Sequence, residues 1–526
     1  MFYVNLLTII KFILIIILII NNKYFINCEP DIGTDCFRAA VYEHPIQGNK
    51  SLDKPHDIIN KNLLVFKQVA AKAKQYGSNI LVFPEDGIID PPYNRTILST
   101  VTEKIPDPKT SVYNACENPD TLLPITVALS CMAKDNAMYI VADYGDRIDC
   151  DVTTDKQCPK DGYHLYNTAV AFDPSGALVA KYHKKHLFII GEPMYNYPST
   201  EFSYFDTPFG RIGLFICFDS LFGDPGTGLV ARYGVKTIAF PTYWFDELPF
   251  RTAKQIQEGW AINNRVNFLA ANILVPQTGS IGSGIYSGIN GPIIFNDITN
   301  KNGQLLIADI PVDSDNTNAL CLTTKPFNKT ITFPETRVSD AYKSPVPMST
   351  TGTSLVQLRA QNDTLNVCNK GLCCQLSYSL VNPSLNDESY WFIVTNRSAD
   401  ETLLGMCDEI CGLISCTDNT CTTFATKSVK TIFKSIKLSA QFTTNYTYPS
   451  VMTNELSLVP KQYWSYKSER KIGAEVSLTV TDFPHPIITV SLYGRCFDRD
   501  HSMPTDNDNV LTRKSYSRNI IHKLKL

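Results

Sequence analysis

The stretch Arg211-Ile-Gly-Leu-Phe-Ile-Cys217-Phe-Asp-Ser220 is the part of the sequence from which the fold can be argued. Residues 212–216 form a short, largely apolar run between Gly210 and Asp219, which is typical of a buried strand covered on both faces. The run ends on Cys217 at a predicted turn, where a thiol can face a cleft. Buried cysteines are also common packing residues and disulfide partners, so the strand alone leaves these roles open.

Predicted strands and helices alternate on both sides of this strand. Residues 37–43 and 79–84 have the composition of buried strands, and residues 57–76 between them repeat apolar side chains at helical spacing. The alternation continues with predicted helices at 122–136 and 252–264 and predicted strands at 138–142, 166–172, 178–182, 237–240 and 266–272. This order indicates an α/β sandwich.

Length and charge narrow the classes of function. The chain has 526 residues, which is enough for two or more domains. Its net charge of −3 gives no electrostatic reason to expect a nucleic-acid partner. No internal repeat and no phosphate-binding glycine loop is evident in the sequence.

The first residues and the cysteine content predict a secreted, extracellular protein. Residues 12–20 form an unbroken apolar run that is short for a spanning helix and suits the core of a signal peptide. We therefore expect residues 1–28 to be a signal peptide, with an uncleaved signal anchor as the alternative. The 16 cysteines fit a disulfide-bonded protein. Six Asn-x-Ser/Thr acceptors predict glycosylation, at Asn49, Asn94, Asn328, Asn362, Asn396 and Asn445.

A change of composition after residue 322 predicts a second domain. We expect residues 33–322 to form the α/β domain and residues 323–353, rich in Pro, Thr and Ser, to form a linker. Residues 354–500 carry dense cysteines among short β-like runs and predict a disulfide-rich, mostly β domain. A zinc site is the alternative for these cysteines, but the leader and the acceptor sites favour disulfides.

Two smaller features complete the predicted organisation. Cys150 and Cys158 close a short polar loop and are expected to form a disulfide. Residues 501–526 are polar and basic and are expected to be disordered. They contain no apolar stretch of the kind that a lipid-anchor signal has, so we do not expect a membrane tether.

Three predicted strand ends carry reactive side chains: Glu85, Lys184 and Cys217. Taken singly, Glu85 could cap a helix, Lys184 could belong to a solvated basic face, and Cys217 could be a packing residue. Together they fit hydrolysis of an amide through a thioester. The carboxylate takes the thiol proton, the thiolate attacks the carbonyl carbon, and the ammonium stabilises the negative charge of the intermediate. This chemistry needs no metal and no organic cofactor.

These residues lie in contexts that resemble a known family. The segments Phe-Pro-Glu85-Asp-Gly, Tyr-His-Lys184-Lys-His-Leu-Phe and Gly-Leu-Phe-Ile-Cys217-Phe-Asp look like those of the nitrilase, or carbon–nitrogen hydrolase, superfamily. More closely, the chain resembles the vanin and biotinidase branch of that superfamily. Further similar segments are residues 39–44, 129–134, 265–270 and 282–286, with a looser likeness around residues 373–378.

The resemblance implies a nitrilase-type α-β-β-α sandwich with a smaller, β-rich C-terminal domain. It implies that Cys217 is the nucleophile, Glu85 the general base and acid, and Lys184 the residue that stabilises the oxyanion and the thiolate. Glu192 stands where the superfamily often has a supporting carboxylate, although an exposed loop glutamate would fit the sequence equally. The backbone N–H of Phe218 would complete the oxyanion hole.

Tyr243 and Trp244 follow a predicted strand end and are candidates for the acyl pocket, with core packing as the competing interpretation. The substrates implied by the resemblance are pantetheine, cleaved to pantothenate and cysteamine, and biotin amides or esters. We favour pantetheine on overall likeness, and we expect a small-molecule amide substrate and a monomer.

Two other classes of function compete with an amidase. The first is a secreted binding protein that has lost the activity, which an eroded triad would favour. All three residues are present here. The second is a papain-like cysteine protease, which needs a histidine base. The Cys-Gly-Ser-Cys-Trp context of that family is absent from this sequence, and His183 and His186 precede Cys217.

Overall fold

The computed structural model describes residues 35–90, 94–188, 192, 194–199, 201–323, 326–338, 341–343, 346–381, 388–402, 404–418, 420–424 and 429–501. The predicted signal peptide lies outside these residues, as does the predicted tail apart from its first residue. Among the described residues, no helix combines the length and the apolar character needed to cross a membrane.

The first part of the chain alternates strands and helices as its sequence predicts. Its helices are α1 Pro55–Gln75, α2 Arg95–Val101, α3 Pro124–Asn136, α4 Gly226–Tyr233, α5 Ala253–Asn264 and α6 Leu320–Thr323. Its strands are β1 Cys36–Glu43, β2 Ile80–Val82, β3 Tyr139–Asp149, β4 Tyr163–Phe172, β5 Leu178–His183, β6 Ser203–Thr207, β7 Gly210–Leu214, β8 Thr237–Pro241, β9 Glu247–Leu248, β10 Asn267–Ala271, β11 Gly284–Ser287, β12 Gly291–Phe295, β13 Gly303–Pro311 and β14 Asn328–Phe333.

Two mixed sheets form the centre of this part. The first has the strand order β14-β13-β1-β2-β3-β4-β5, and the second has the order β12-β11-β10-β8-β7-β6. Strands β1, β2 and β3 run parallel in the first sheet, as do β7, β8 and β10 in the second. Parallel strands bring their carboxyl ends to one edge of a sheet, which is where ligands commonly bind.

Alternate residues of the first sheet serve two different cores. Ala39 and Val41 of β1 face the second sheet and join its apolar side chains in one cluster. Ala40 and Tyr42 face the other way and pack against α1 and α3, for example against Phe66. This alternation follows from the two-residue period of a strand. The layers are therefore helix, sheet, sheet and helix, so the predicted α-β-β-α sandwich is confirmed.

The second part of the chain is a β-sandwich. Its strands are β15 Val346–Pro347, β16 Ser354–Gln357, β17 Asn362–Asn369, β18 Leu372–Leu380, β19 Ser389–Arg397, β20 Asp408–Cys416, β21 Phe433–Gln441, β22 Thr447–Thr453, β23 Ser457–Leu458, β24 Trp464–Lys467, β25 Glu475–Thr481 and β26 Ile487–Arg495. They form a six-stranded sheet, β16-β19-β20-β26-β22-β23, and a five-stranded sheet, β17-β18-β21-β25-β24.

Helix α5 joins the two parts, because β22 packs directly against it. Every residue of this helix is buried. Gly259 allows the close approach, since a Cβ atom there would lie 2.6 Å from the Cβ atom of Tyr448. The hydroxyl of Ser450 donates a hydrogen bond to Glu258 Oε2 at 3.0 Å. The C-terminal sandwich thus covers the outer helix of the second sheet.

Six disulfides are formed within the described part of the chain. The pair predicted from the sequence, Cys150 and Cys158, is one of them. Cys374 and Cys411 link the two sheets of the C-terminal domain. The other four are Cys36–Cys321, Cys116–Cys131, Cys368–Cys373 and Cys416–Cys421. Cys217, Cys407 and Cys496 are buried and are not disulfide-bonded.

The structure corrects the predicted linker at residues 323–353. Strand β14 lies within it and pairs antiparallel with β13, so it extends the first sheet by one edge strand. Strand β15 also lies within it and pairs with β9. Strand β14 is an exposed edge strand, so its sequence is polar. A polar composition is also typical of a linker, and this is why the sequence indicated one. Its backbone hydrogen bonds to β13 make it part of the sheet.

Candidate active site

The three predicted reactive residues follow three different strands. Glu85 comes three residues after β2, and Lys184 comes directly after β5. Cys217 comes three residues after β7 of the opposite sheet and begins a short 3-10 turn, Cys217–Leu221. The structure therefore brings together groups that lie far apart in the sequence.

The Lys184 ammonium lies between two buried carboxylates. Its Nζ atom is 2.6 Å from Glu85 Oε1 and 2.5 Å from Glu192 Oε2. The three side chains are at most 5% exposed. Of the two interpretations of Glu192 that the sequence allowed, the structure favours the carboxylate beside Lys184 over an exposed loop residue.

Asn167 of β4 bridges the same two carboxylates. Its Nδ2 atom donates to Glu85 Oε1 at 2.9 Å and to Glu192 Oε1 at 2.5 Å. The backbone N–H of Lys184 donates to the carbonyl oxygen of Asn167 at 2.9 Å. Asn167 was not among the site residues predicted from the sequence. The available signal was an amide side chain inside an otherwise apolar predicted strand.

The Lys184 ammonium stays charged although it is buried. Burial alone would lower the pKa of Lys184, but the charges of Glu192 and Glu85 outweigh it and raise that pKa well above its usual value. Burial raises the pKa of Glu192, and the Lys184 ammonium opposes the shift. An ammonium held between two acceptors is a fixed positive charge in a medium of low dielectric constant, where it interacts strongly with any developing anion.

Cys217 lies at a strained turn beside these charges. Its backbone φ is +44°, in the left-handed region that non-glycine residues rarely adopt. Burial, and then the charge of Glu85, raises the pKa of the Cys217 thiol, while Lys184 lowers it. The resting side chain is therefore a thiol, and its reaction as a nucleophile requires a base to remove the proton.

Asp219 ties the Cys217 turn to the segment that carries Lys184. Its Oδ2 atom accepts hydrogen bonds from the Tyr182 hydroxyl at 2.8 Å and from the Ile216 backbone N–H at 3.2 Å. Its Oδ1 atom accepts the backbone N–H of His186 at 2.9 Å. The sequence presented Asp219 next to Cys217 in the Cys-Phe-Asp segment, but this role depends on the contact between two sheets.

A narrow pocket opens above Cys217 and is largely aromatic. It is lined by Phe188, Cys217, Phe218, Leu221, Tyr243, Trp244, Phe245, Glu247, Arg251 and Leu404. Both predicted pocket candidates, Tyr243 and Trp244, are therefore part of its wall. The Tyr243 backbone N–H donates to Glu85 Oε2 at 2.8 Å, which connects the pocket wall to the carboxylate. Leu404 belongs to the C-terminal domain, so both domains form the pocket.

A larger cleft of about 970 Å³ lies between α1 and α3. It includes the titratable residues Glu103, Asp135 and His56 but none of the three reactive residues. The Glu103 carboxylate there accepts the backbone N–H groups of Ile125 and Thr126, at the start of α3. That carboxylate has a structural partner, and the one cysteine among the described lining residues, Cys131, is disulfide-bonded. The pocket at Cys217 is the better candidate for chemistry.

Comparison with known proteins agrees with this fold. The carbon-nitrogen hydrolase family matches residues 38–265, and the vanin C-terminal domain matches residues 347–500. The molecule is thus an amide-cleaving hydrolase of the carbon–nitrogen hydrolase class.

The pantetheinase of Mus musculus is 35% identical over 503 residues, with 90% of this chain and 92% of that protein covered. The biotinidase of Bos taurus is 31% identical over 500 residues, with 88% and 92% covered. The chain belongs to the vanin and biotinidase branch of the carbon–nitrogen hydrolases.

Proposed function

We propose that this protein hydrolyses pantetheine to pantothenate and cysteamine through a thioester on Cys217. The observation that carries the proposal is the buried Lys184 ammonium, held between Glu85 and Glu192 beside a cysteine thiol at the base of a pocket. Two relatives named pantetheinase, from Mus musculus and Homo sapiens, are each 35% identical to the chain.

In the first half of the proposed reaction, the Glu85 carboxylate removes the proton from the Cys217 thiol. The sulfur then attacks the carbonyl carbon of the amide, and the carbonyl oxygen becomes negatively charged. The Lys184 ammonium and the Phe218 backbone N–H stabilise that oxygen. The protonated Glu85 gives its proton to the leaving amine, and the C–N bond breaks to leave the thioester.

In the second half, water replaces the amine. The Glu85 carboxylate takes a proton from a water molecule, which attacks the thioester carbonyl carbon. The C–S bond breaks, the protonated Glu85 returns its proton to the sulfur, the acid is released and the Cys217 thiol is regenerated. Glu192 and Asn167 hold Lys184 and Glu85 in place throughout, because Glu192 accepts a buried hydrogen bond from Lys184 and Asn167 donates one to Glu85.

The pocket offers mostly aromatic and apolar surface to an acyl group, and Glu247 and Arg251 add one ion pair to its wall. Biotin amides are the competing substrate, because relatives named biotinidase, from Bos taurus and Homo sapiens, are 31% and 32% identical over similar lengths.

The test compares the two amides on the same purified full-length protein. We expect kcat/KM for cysteamine release from pantetheine to exceed that for lysine release from biocytin by about tenfold or more, because the acyl groups differ in shape at the pocket. The Cys217→Ala variant, assayed in parallel, corrects for contaminating hydrolases. Lysine release without cysteamine release would replace pantetheine by a biotin amide as the substrate.

We also propose that the protein is secreted and glycosylated. The six disulfides fit an oxidising compartment. Of the predicted glycosylation sites, Asn49, Asn94, Asn328 and Asn362 have exposed side chains, whereas Asn396 and Asn445 are half-buried. N-terminal sequencing of the mature chain from culture medium should begin close to residue 29. A mature chain that retains residues 1–28 would instead indicate a signal anchor.

A further inference from the structure

Two further carboxyl groups, those of Asp86 and Asp143, are buried close to Glu85. Asp86 follows Glu85 directly and has a backbone φ of +57°, in the left-handed region. Asp143 lies in β3, and its Oδ1 atom accepts the Asp86 backbone N–H at 2.9 Å. The two residues are 4% and 1% exposed. Asp143 thus holds a strained turn that fixes the direction in which Glu85 leaves the sheet.

These two carboxyls have little to compensate their charge. Asp86 Oδ1 and Asp143 Oδ2 are buried and have no hydrogen-bond partner among the residues that the structure describes. Within those residues, neither carboxyl forms an ion pair, and the Lys184 ammonium is already engaged by Glu85 and Glu192. Two adjacent, buried carboxylates without a cation cannot both be ionised near neutral pH.

The surroundings of the two carboxyl groups also favour their protonated forms. Burial raises the pKa of Asp86, and the charges of Glu85 and Glu192 raise it further. Burial is the largest cause that raises the pKa of Asp143, and the charges of Asp86 and Glu85 raise it further. The Lys184 ammonium opposes both shifts. The titratable groups that act on the pair or respond to its charge are Glu85, Asp90, Lys184, Glu192, Tyr195 and Tyr243.

We propose that Asp86 and Asp143 share one proton, so that the pair holds a single negative charge, and that the pair positions Glu85 for proton transfer. Both are positioning residues, because they act through Glu85 and line no part of the pocket at Cys217. The inference rests on the proposed role of Glu85. The single negative charge makes it harder for neighbouring carboxyl groups to lose their protons. It therefore sets the acid limb of the plot of kcat/KM against pH.

Three isosteric variants test the proton count. In Asp86→Asn and in Asp143→Asn, the amide replaces the protonated partner and the remaining aspartate keeps the one negative charge. We expect the acid limb of kcat/KM to stay within about 0.3 pH units of the native position in each. The double variant removes the charge, so its acid limb should move to lower pH by about one unit.

Other outcomes would overturn the proposal. A shift in both single variants, each about half that of the double variant, would mean that the native pair carries two charges. A shift in one single variant as large as that of the double variant would mean that the remaining aspartate does not take up the charge, and the proton is then not shared. No shift in the double variant would mean that the pair is neutral or does not act on the reacting carboxyls. If Asp143 served only to accept the Asp86 N–H, none of the three variants would move the profile, since the amide oxygen that Asp143→Asn introduces still accepts that hydrogen bond.

Infrared difference spectroscopy gives a second readout that needs no turnover. Other buried carboxyls, such as Glu258 and Asp246, cancel in native-minus-variant spectra. Each single variant and the double variant should lose the same one carbonyl stretch of a protonated carboxyl, shifted in D₂O. Loss of a further carbonyl band in the double variant would mean that both carboxyls are protonated, and the proposal would fail. Because this measurement is independent of activity, it separates failure of the shared proton from failure of the proposed substrate.

Discussion

Replacing Cys217 with alanine should reduce kcat for amide hydrolysis by a factor of about 10⁴ or more. Among the described residues that line the pocket, this thiol is the group that can form the thioester, and in the proposed mechanism Glu85 and Lys184 act through it. The buried side chain is small, so secretion and the thermal unfolding temperature should stay close to those of the native protein. The measurement is steady-state cysteamine release together with circular dichroism.

Cys496→Ala is the matched control for this variant. Cys496 is also a buried cysteine outside the disulfides, but it lies in the C-terminal domain and does not line the pocket. Its kcat should remain within a few-fold of native. Native-rate hydrolysis by the Cys217→Ala protein would show that the reaction does not pass through this thiol.

The Lys184→Met variant should lose both activity and stability. Removing one partner of a buried ion pair leaves the other charge uncompensated, which costs about 3–5 kcal/mol in the free energy of unfolding. Here the Glu85 and Glu192 carboxylates would both lose their cation. We also expect kcat to fall by about 10³-fold, since the oxyanion loses its charged donor. Urea denaturation and steady-state kinetics measure the two effects.

Adding Glu192→Gln to the Lys184→Met variant separates the two effects. The double variant contains one buried carboxylate less, so it should recover about 1–3 kcal/mol of the lost stability, in the range of coupling between contacting residues. Its activity should stay low, because the ammonium is still missing. Recovery of activity along with stability would contradict the role of Lys184 at the oxyanion.

The strand ends were predictable because local patterns encode them. Apolar runs followed by turn residues located the ends of β2, β5 and β7, and helical spacing located α1 and α3. The type and order of the residues at these ends then indicated the chemistry. Composition was a poorer guide at residues 323–353, where a polar edge strand has the amino-acid content of a linker.

The remaining parts of the candidate site depend on which strands become neighbours. Asn167 and Glu85 are 82 residues apart and meet because β4 and β2 lie on either side of β3 in one sheet. Leu404 lies between β19 and β20 and reaches the pocket because the C-terminal domain packs on the first. The pairing of Asp86 with Asp143 has the same origin, since it links the end of β2 to β3.

For this protein, the sequence by itself determined the strands that precede Glu85, Lys184 and Cys217, the reactive side chains at their ends and the class of chemistry, because these depend on residue type and short-range periodicity. Only the tertiary structure decided that Glu192 is buried against Lys184, that Asn167 bridges the two carboxylates and that the C-terminal domain contributes to the pocket. Those contacts depend on sheet order, strand register and domain packing, which no local pattern specifies.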